Sequence, residues 1–151
     1  MTVGITPPAF IVEVRVVMLR ETVAGVLPYC REKNIGVLGY SPMLSGLLTG
    51  AMTRERIEAL AASDWRRNNK EFQEPQLSAN LALVEVLRAI GARHGLSAGE
   101  VAIAWTLRDP VVTAAIVGGR SASQVDGVVG AAGFTLSAEE LAEIEGALPR
   151  A

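Results

Sequence analysis

The chain has 151 residues, of which 50% are hydrophobic, 20% charged and 5% aromatic, with a formal net charge of −2. That is one domain's worth of sequence with room for an ordinary core, and its hydrophobicity excludes a disordered chain. The charge leaves no basic footprint for nucleic acid or an anionic membrane. No apolar run approaches the roughly 18 residues of a membrane span. A single cysteine, Cys30, cannot form an internal disulfide, and no basic stretch precedes an apolar one at the N-terminus. The expectation is therefore a soluble, cytoplasmic protein.

Residues 10–19 are rich in Val and Ile and read as a buried strand, preceded by Pro7-Pro8, which exclude helix. Residues 21–33 read as a helix in which Pro28 is an obstacle. Residues 35–40 form a second buried strand, closed by the turn signal Ser41-Pro42. The pattern then loosens over residues 42–76. Residues 43–50 carry two glycines and small polar residues, residues 54–62 suit a short helix, and residues 63–76 are polar and irregular. A loop of that length in a compact domain is more often functional than idle.

The second half is strongly helical. Leu77, Leu81, Val84 and Leu87 recur at helical spacing, and His94-Gly95 closes this helix. Ser97-x-x-Glu100 is a capping box for a helix to about Arg108, ended by Asp109-Pro110. Residues 111–117 are a third strand, followed by Gly118-Gly119. Ser121-x-x-Gln124 and Ser137-x-x-Glu140 read as two further capping boxes, each opening a helix of roughly 10 residues. Apolar strands alternating with helices imply a parallel sheet covered by helices. In such sheets ligands bind at the strand C-termini. Residues 40–50 and 118–124 sit there, both rich in Gly and Ser and open to phosphate at their backbone N–H groups.

The residues themselves carry a family likeness. Tyr29-Cys30-Arg31-Glu32 with Ile35-Gly36-Val37, then Tyr40-Ser41-Pro42 with Gly46-Leu47-Leu48-Thr49-Gly50, resemble the seventh βα unit of the aldo-keto reductase family. Asp64-Trp65-Arg66-Arg67, Phe72-Gln73 and Asn80-Leu81-Ala82-Leu83-Val84 are similar to that family's next loop and helix. Ala102-Ile103-Ala104-Trp105 and Ile116-Val117-Gly118-Gly119-Arg120 with Gln124 continue the resemblance in order, so it runs from residue 27 to 148. It implies a partial (β/α)8 TIM barrel, namely the C-terminal half with strands six to eight, as one truncated domain. A closed barrel typically takes about 250 residues.

The resemblance also implies NADP as cofactor and NADP-dependent reduction of carbonyls as the family activity. It places Ser41, Pro42, Met43, Leu44, Ser45, Gly46 and Leu47 along the pyrophosphate, and Gly118, Arg120 and Gln124 around the adenosine end. An arginine there pairs bidentately with a 2′-phosphate, and the helix opened by Ser121 turns its positive end to an anion. The family's catalytic Asp, Tyr, Lys and His lie in earlier strands and have no counterpart here. Tyr29, inside a helix, and Tyr40, at a strand end, do not take the proton donor's place, and His94 reads as a helix C-terminal residue. Other departures weaken binding. Ala51 stands where Lys is frequent, and Gly127 and Val128 stand where an acidic residue and Asn are usual. Val12 and Arg15 stand where Gln and Tyr would meet the nicotinamide, and an acidic position falls on Val23, while Arg20 keeps its place.

Two readings follow. One is an oxidoreductase part, inactive alone; the other is a non-enzymatic remnant with a residual or lost NADP site. An open half-barrel leaves two unpaired strand edges. A homo-oligomer is therefore expected, with a complementary N-terminal half as another partner. The start at Met1 points to a short open reading frame rather than a fragment. In the plainer reading the two Gly- and Ser-rich loops are only turn chemistry. Trp65 and Arg66-Arg67 then belong to a solvated loop with one anchoring aromatic, and Trp105 is core.

Overall fold

Residues 9–12 and 22–148 are described by the computed structural model. Three short apolar runs form one parallel sheet in the order β1 (Ala9–Val12), β2 (Gly36–Tyr40), β3 (Val112–Ile116). Parallel neighbours need a crossover, and helix α1 (Thr22–Glu32) supplies it between β1 and β2. The helix runs through Pro28 rather than stopping there. Of the first expected strand only Ala9–Val12 is seen; its remaining positions, like Arg15 and Arg20, lie outside the described residues.

The strands are not equally covered. Val37 of β2 is fully buried, whereas in β3 only Val112 is buried and Thr113, Ala114 and Ile116 are exposed. The expectation of buried strands thus fails at β3. Among the described residues this strand is a sheet edge paired with β2 alone, and its register shifts at the Val37–Leu38 step. Gly36 makes room for that irregularity, because a Cβ there would lie 2.7 Å from Thr113 Oγ1.

The core lies between the sheet and two long helices, α3 (Gln76–His94) and α4 (Ala98–Thr106). The α3 stripe Leu77, Asn80, Leu83, Val84, Leu87 and Ile90 follows helical spacing and packs on α4. Helix α4 is buried along its whole length. Within it Thr106 Oγ1 donates to Ala102 O at 3.1 Å, and Glu100 closes a capping box on Ser97. Gly95, in the left-handed region at φ 69, turns the chain out of α3 and donates its N–H to Gly91 O. Two further helices, α5 (Ala122–Val129) and α6 (Ala138–Ala147), follow β3.

Helix α6 opens with the expected capping box at Ser137 and Glu140. Glu140 also meets His94 Nε2 at 2.6 Å, so His94 ties α6 to the end of α3 besides sitting at the helix dipole's negative end. The Ser137 backbone N–H, then His94, hold the Glu140 carboxyl below its ordinary range. At Ser121 the expected box is only half formed. Its hydroxyl accepts the Gln124 N–H, but Gln124 Oε1 accepts from Arg120 N rather than from Ser121 N. No described helix is long and apolar enough to cross a membrane.

Candidate functional site

Both Gly- and Ser-rich segments leave the sheet at the C-terminal ends of β2 and β3. The first begins with Ser41 at φ 59 and continues into a 3₁₀ segment, Leu44–Thr49. Within it Leu44, Ser45 and Gly46 all have positive φ (49, 55 and 92). A left-handed residue that is not glycine costs about 1–2 kcal/mol. Three leucines outweigh that cost: Leu44, Leu47 and Leu48 are buried in the core cluster, each contributing about 1.5–3 kcal/mol. Leu44 and Leu47 are therefore anchors rather than lining groups. Ser45 and Gly46 face outward on the strained turn, where the Gly46 N–H donates to Met43 O at 3.0 Å and Ser45 is exposed at the cleft.

The second segment, from Val117 to Gln124, is exposed throughout. The Gln124 side chain folds back to accept the Arg120 N–H at 2.7 Å, which fixes the loop at the start of α5. A cleft of about 1090 Å³ joins the two segments. Of the residues singled out in the sequence it is lined by Ser41, Pro42, Met43, Ser45, Gly46, Gly118, Arg120 and Gln124. Ala51, Gly127 and Val128, the positions that depart from the family pattern, line it too.

A third segment completes the wall. Asp64, Trp65 and Arg66 line the cleft, with Trp65 58% exposed. The anchoring aromatic of this loop is instead Phe72, which is buried and meets Trp65 edge-on at 6.5 Å. Arg67 turns away and donates to Leu60 O. Arg66 is tied at its Nε and Nη2 to the Asp64 carboxylate (2.9 and 2.5 Å), and this pairing holds Asp64 at a pKa of about 2. Arg56, from the short helix α2 (Arg54–Glu58), also reaches the cleft. The sequence reading passed over it, although Thr53 as N-cap fixes the side on which residue 56 emerges.

The lining thus holds three guanidinium groups, of Arg56, Arg66 and Arg120, and one carboxylate, of Asp64. In a chain of net charge −2 this is a local excess of positive charge that draws anions. Tyr40 is half exposed at the rim and Tyr29 is exposed on α1. Among the described residues no cluster of His, Cys, Asp and Glu could hold a metal ion.

The model of the aldo/keto reductase family matches residues 4–149. Aldo-keto reductase YhdN of Bacillus subtilis is 32% identical over 126 residues, covering 83% of this chain and 38% of its own length. Aldo-keto reductase str7 of Strobilurus tenacellus is 30% identical over 119 residues, 79% of this chain and 35% of its own. Among solved structures, a glycerol dehydrogenase from Gluconobacter oxydans superposes with a TM-score of 0.82 at 29% identity, over 93% of this chain and 42% of that one. The chain spans less than two-fifths of the length of these curated relatives.

Proposed function

The chain belongs to the aldo/keto reductase family, and from that premise we propose that it is the cofactor-binding, C-terminal half-barrel of an NADP-dependent carbonyl reductase. One observation carries the reading: the two segments matched to the cofactor loops meet in a single cleft with excess positive charge. The donor set fits a dinucleotide phosphate. Its 1090 Å³ exceeds the upper end of the usual range for small ligands, about 1,000 Å³.

NADPH, when bound, supplies the two-electron reduction of a carbonyl. The residues of this chain bind and orient it. The turn at Ser45 and Gly46 presents the exposed Ser45 hydroxyl to the pyrophosphate, the Gly46 N–H being held by Met43 O. Arg120, without an acidic partner among the described residues, is placed for a 2′-phosphate. Gln124 Oε1 is occupied by Arg120 N, which leaves its amide NH2 as the donor for the adenosine end. Gly127 and Val128 give that end no polar side chain, and each buried partner so lost costs about 1–3 kcal/mol. Binding is therefore weaker than in a member that keeps them. No residue here is assigned a proton-transfer role, so turnover by this chain alone is not expected.

The test uses a built-in reporter. Trp65 is exposed in the cleft while Trp105 is buried. Saturable quenching of tryptophan emission by NADPH is expected, largely abolished in Trp65→Phe, with no carbonyl reduction. Unsaturable quenching, equal in both proteins, contradicts the site; turnover by the wild-type chain contradicts the inactivity.

A second reading, a self-associating module, is favoured by the open edge at β3. Ile116 and Val117 there, and Val125 and Val129 on α5, are exposed apolar residues on adjoining elements. A second copy, or a complementary N-terminal half, covering this edge is the simplest closure. Sedimentation at micromolar concentration should show a dimer, and a well-folded monomer overturns this reading.

A further inference from the structure

We propose that Arg56 is the side-chain cation that grips the pyrophosphate in this cleft, a residue outside both Gly- and Ser-rich loops. The inference rests on the dinucleotide reading of the cleft and adds a specific group to it.

Arg56 is placed by local chemistry. Thr53 caps α2, its hydroxyl accepting the Arg56 N–H at 3.2 Å, and this sets the direction of the residue. The guanidinium then turns back and donates from Nη1 to Ala51 O at 3.3 Å. Ala51 is itself linked to the curled turn: its N–H donates to Thr49 Oγ1 at 3.2 Å, and that hydroxyl donates to Gly46 O at 2.7 Å. A continuous hydrogen-bonded path therefore joins the positive-φ turn at Ser45 and Gly46 to the Arg56 guanidinium. Both ends of that path line the cleft.

The charge on Arg56 is also uncommitted. Neighbouring arginines are neutralised: Arg66 by Asp64, Arg54 by Glu74, and Arg88 by Glu85. Arg56 has no carboxylate within ion-pair distance among the described residues, and its Nε and Nη2 have no protein partner there. A guanidinium held by one backbone bond, with its remaining donors open to a concave site, is preorganised for bidentate contact with phosphate oxygens. Ala51 brings no charge of its own. Arg120 stands across the cleft on the other loop, so the two open guanidinium groups would serve different phosphates.

The test compares two ligands by calorimetry, NADPH and adenosine 2′-monophosphate, which keeps the 2′-phosphate but lacks the pyrophosphate. Arg56→Ala should raise the Kd for NADPH about tenfold, the low end for a lost hydrogen bond to a charged group, and leave adenosine 2′-monophosphate unchanged. Arg120→Ala should weaken both. Adding Ala51→Lys to Arg56→Ala should restore part of the NADPH affinity, since residue 51 adjoins the vacated guanidinium. Unchanged NADPH binding in Arg56→Ala, or an equal loss for both ligands, overturns the assignment. No saturable NADPH binding by the wild-type chain overturns the dinucleotide reading beneath it.

Discussion

Trp105→Ala should lower the free energy of unfolding by about 3–5 kcal/mol, the usual cost of emptying a large aromatic site. Trp105 is the largest fully buried side chain, 1% exposed, on a helix that is itself buried along its length. Its ring is also a lid for charge. The Arg108 guanidinium lies 3.9 Å from the ring centroid and donates from Nη1 to Trp105 O at 2.8 Å. Burial pushes the Arg108 pKa down, so its charge is already partly desolvated and depends on the π face. Alanine leaves both a cavity and an uncovered guanidinium. Against a typical total stability of about 5–15 kcal/mol, that removes much of the margin. Trp105→Phe keeps the ring and should recover more than half of the loss, because the indole Nε1 has no partner to forfeit. Urea unfolding of the three proteins measures this, and an alanine variant with an unchanged midpoint would place the indole outside the core.

The second large effect lies under the cleft. Asn80 is fully buried on α3, and its Nδ2 donates at 3.1 Å to both the backbone oxygen and the carboxylate of Glu71. Glu71 is itself buried, next to Phe72, against which the cleft's Trp65 packs. Asn80→Asp replaces the donor by a second carboxylate. The expected loss is about 2–4 kcal/mol at neutral pH, from the missing charge-assisted bond and the new repulsion. Two carboxylates in one site raise the pKa of one of them. The substituted pair thus destabilises most when both are ionised, and the loss shrinks as pH falls and one takes a proton to donate again. Asn80→Leu removes the donor without adding charge and should lose less at neutral pH. Equal losses for the two variants, independent of pH, would contradict the Glu71–Asn80 contact.

The elements that were legible in the sequence are those whose signals are local. The Ser97 and Ser137 boxes and the Gly95 stop each follow from a few neighbouring residues and are found as read; of the α3 stripe Leu77, Val84 and Leu87 are buried, while Leu81 is only partly so and Asn80 and Leu83 join the buried face. The parallel order of the strands followed from alternation with helices. What failed depended on long-range placement. The polarity of β3 as an edge is set by what does not pair with it. Leu44 and Leu47 shared a motif with Ser45 and Gly46, but left-handed backbone turns them into the core. At Ser121 the glutamine preferred the Arg120 N–H over the reciprocal cap. Arg56 and Trp65 come to the cleft from a helix and a loop whose direction the sequence did not fix, and the Asn80–Glu71 contact that steadies the loop spans nine positions.

Ancestry and present binding are separable. The family match extends to residues that no longer offer polar groups, such as Gly127 and Val128, while the cleft keeps Arg120, the curled turn and Arg56. On the proposed reading the groups left in the cleft are those that would meet phosphates, while Ala51 marks a lost phosphate partner and Gly127 and Val128 mark lost adenosine contacts. A phosphate-led site binds tightly only while electrostatics are unscreened, so its affinity falls with ionic strength.

Calorimetric titration of the intact chain with NADPH, with NADH as comparison, is the most direct test. Saturable one-to-one binding is expected, weaker for NADH because it lacks the 2′-phosphate proposed for Arg120. No saturable heat with either nucleotide at low salt would contradict a retained cofactor site.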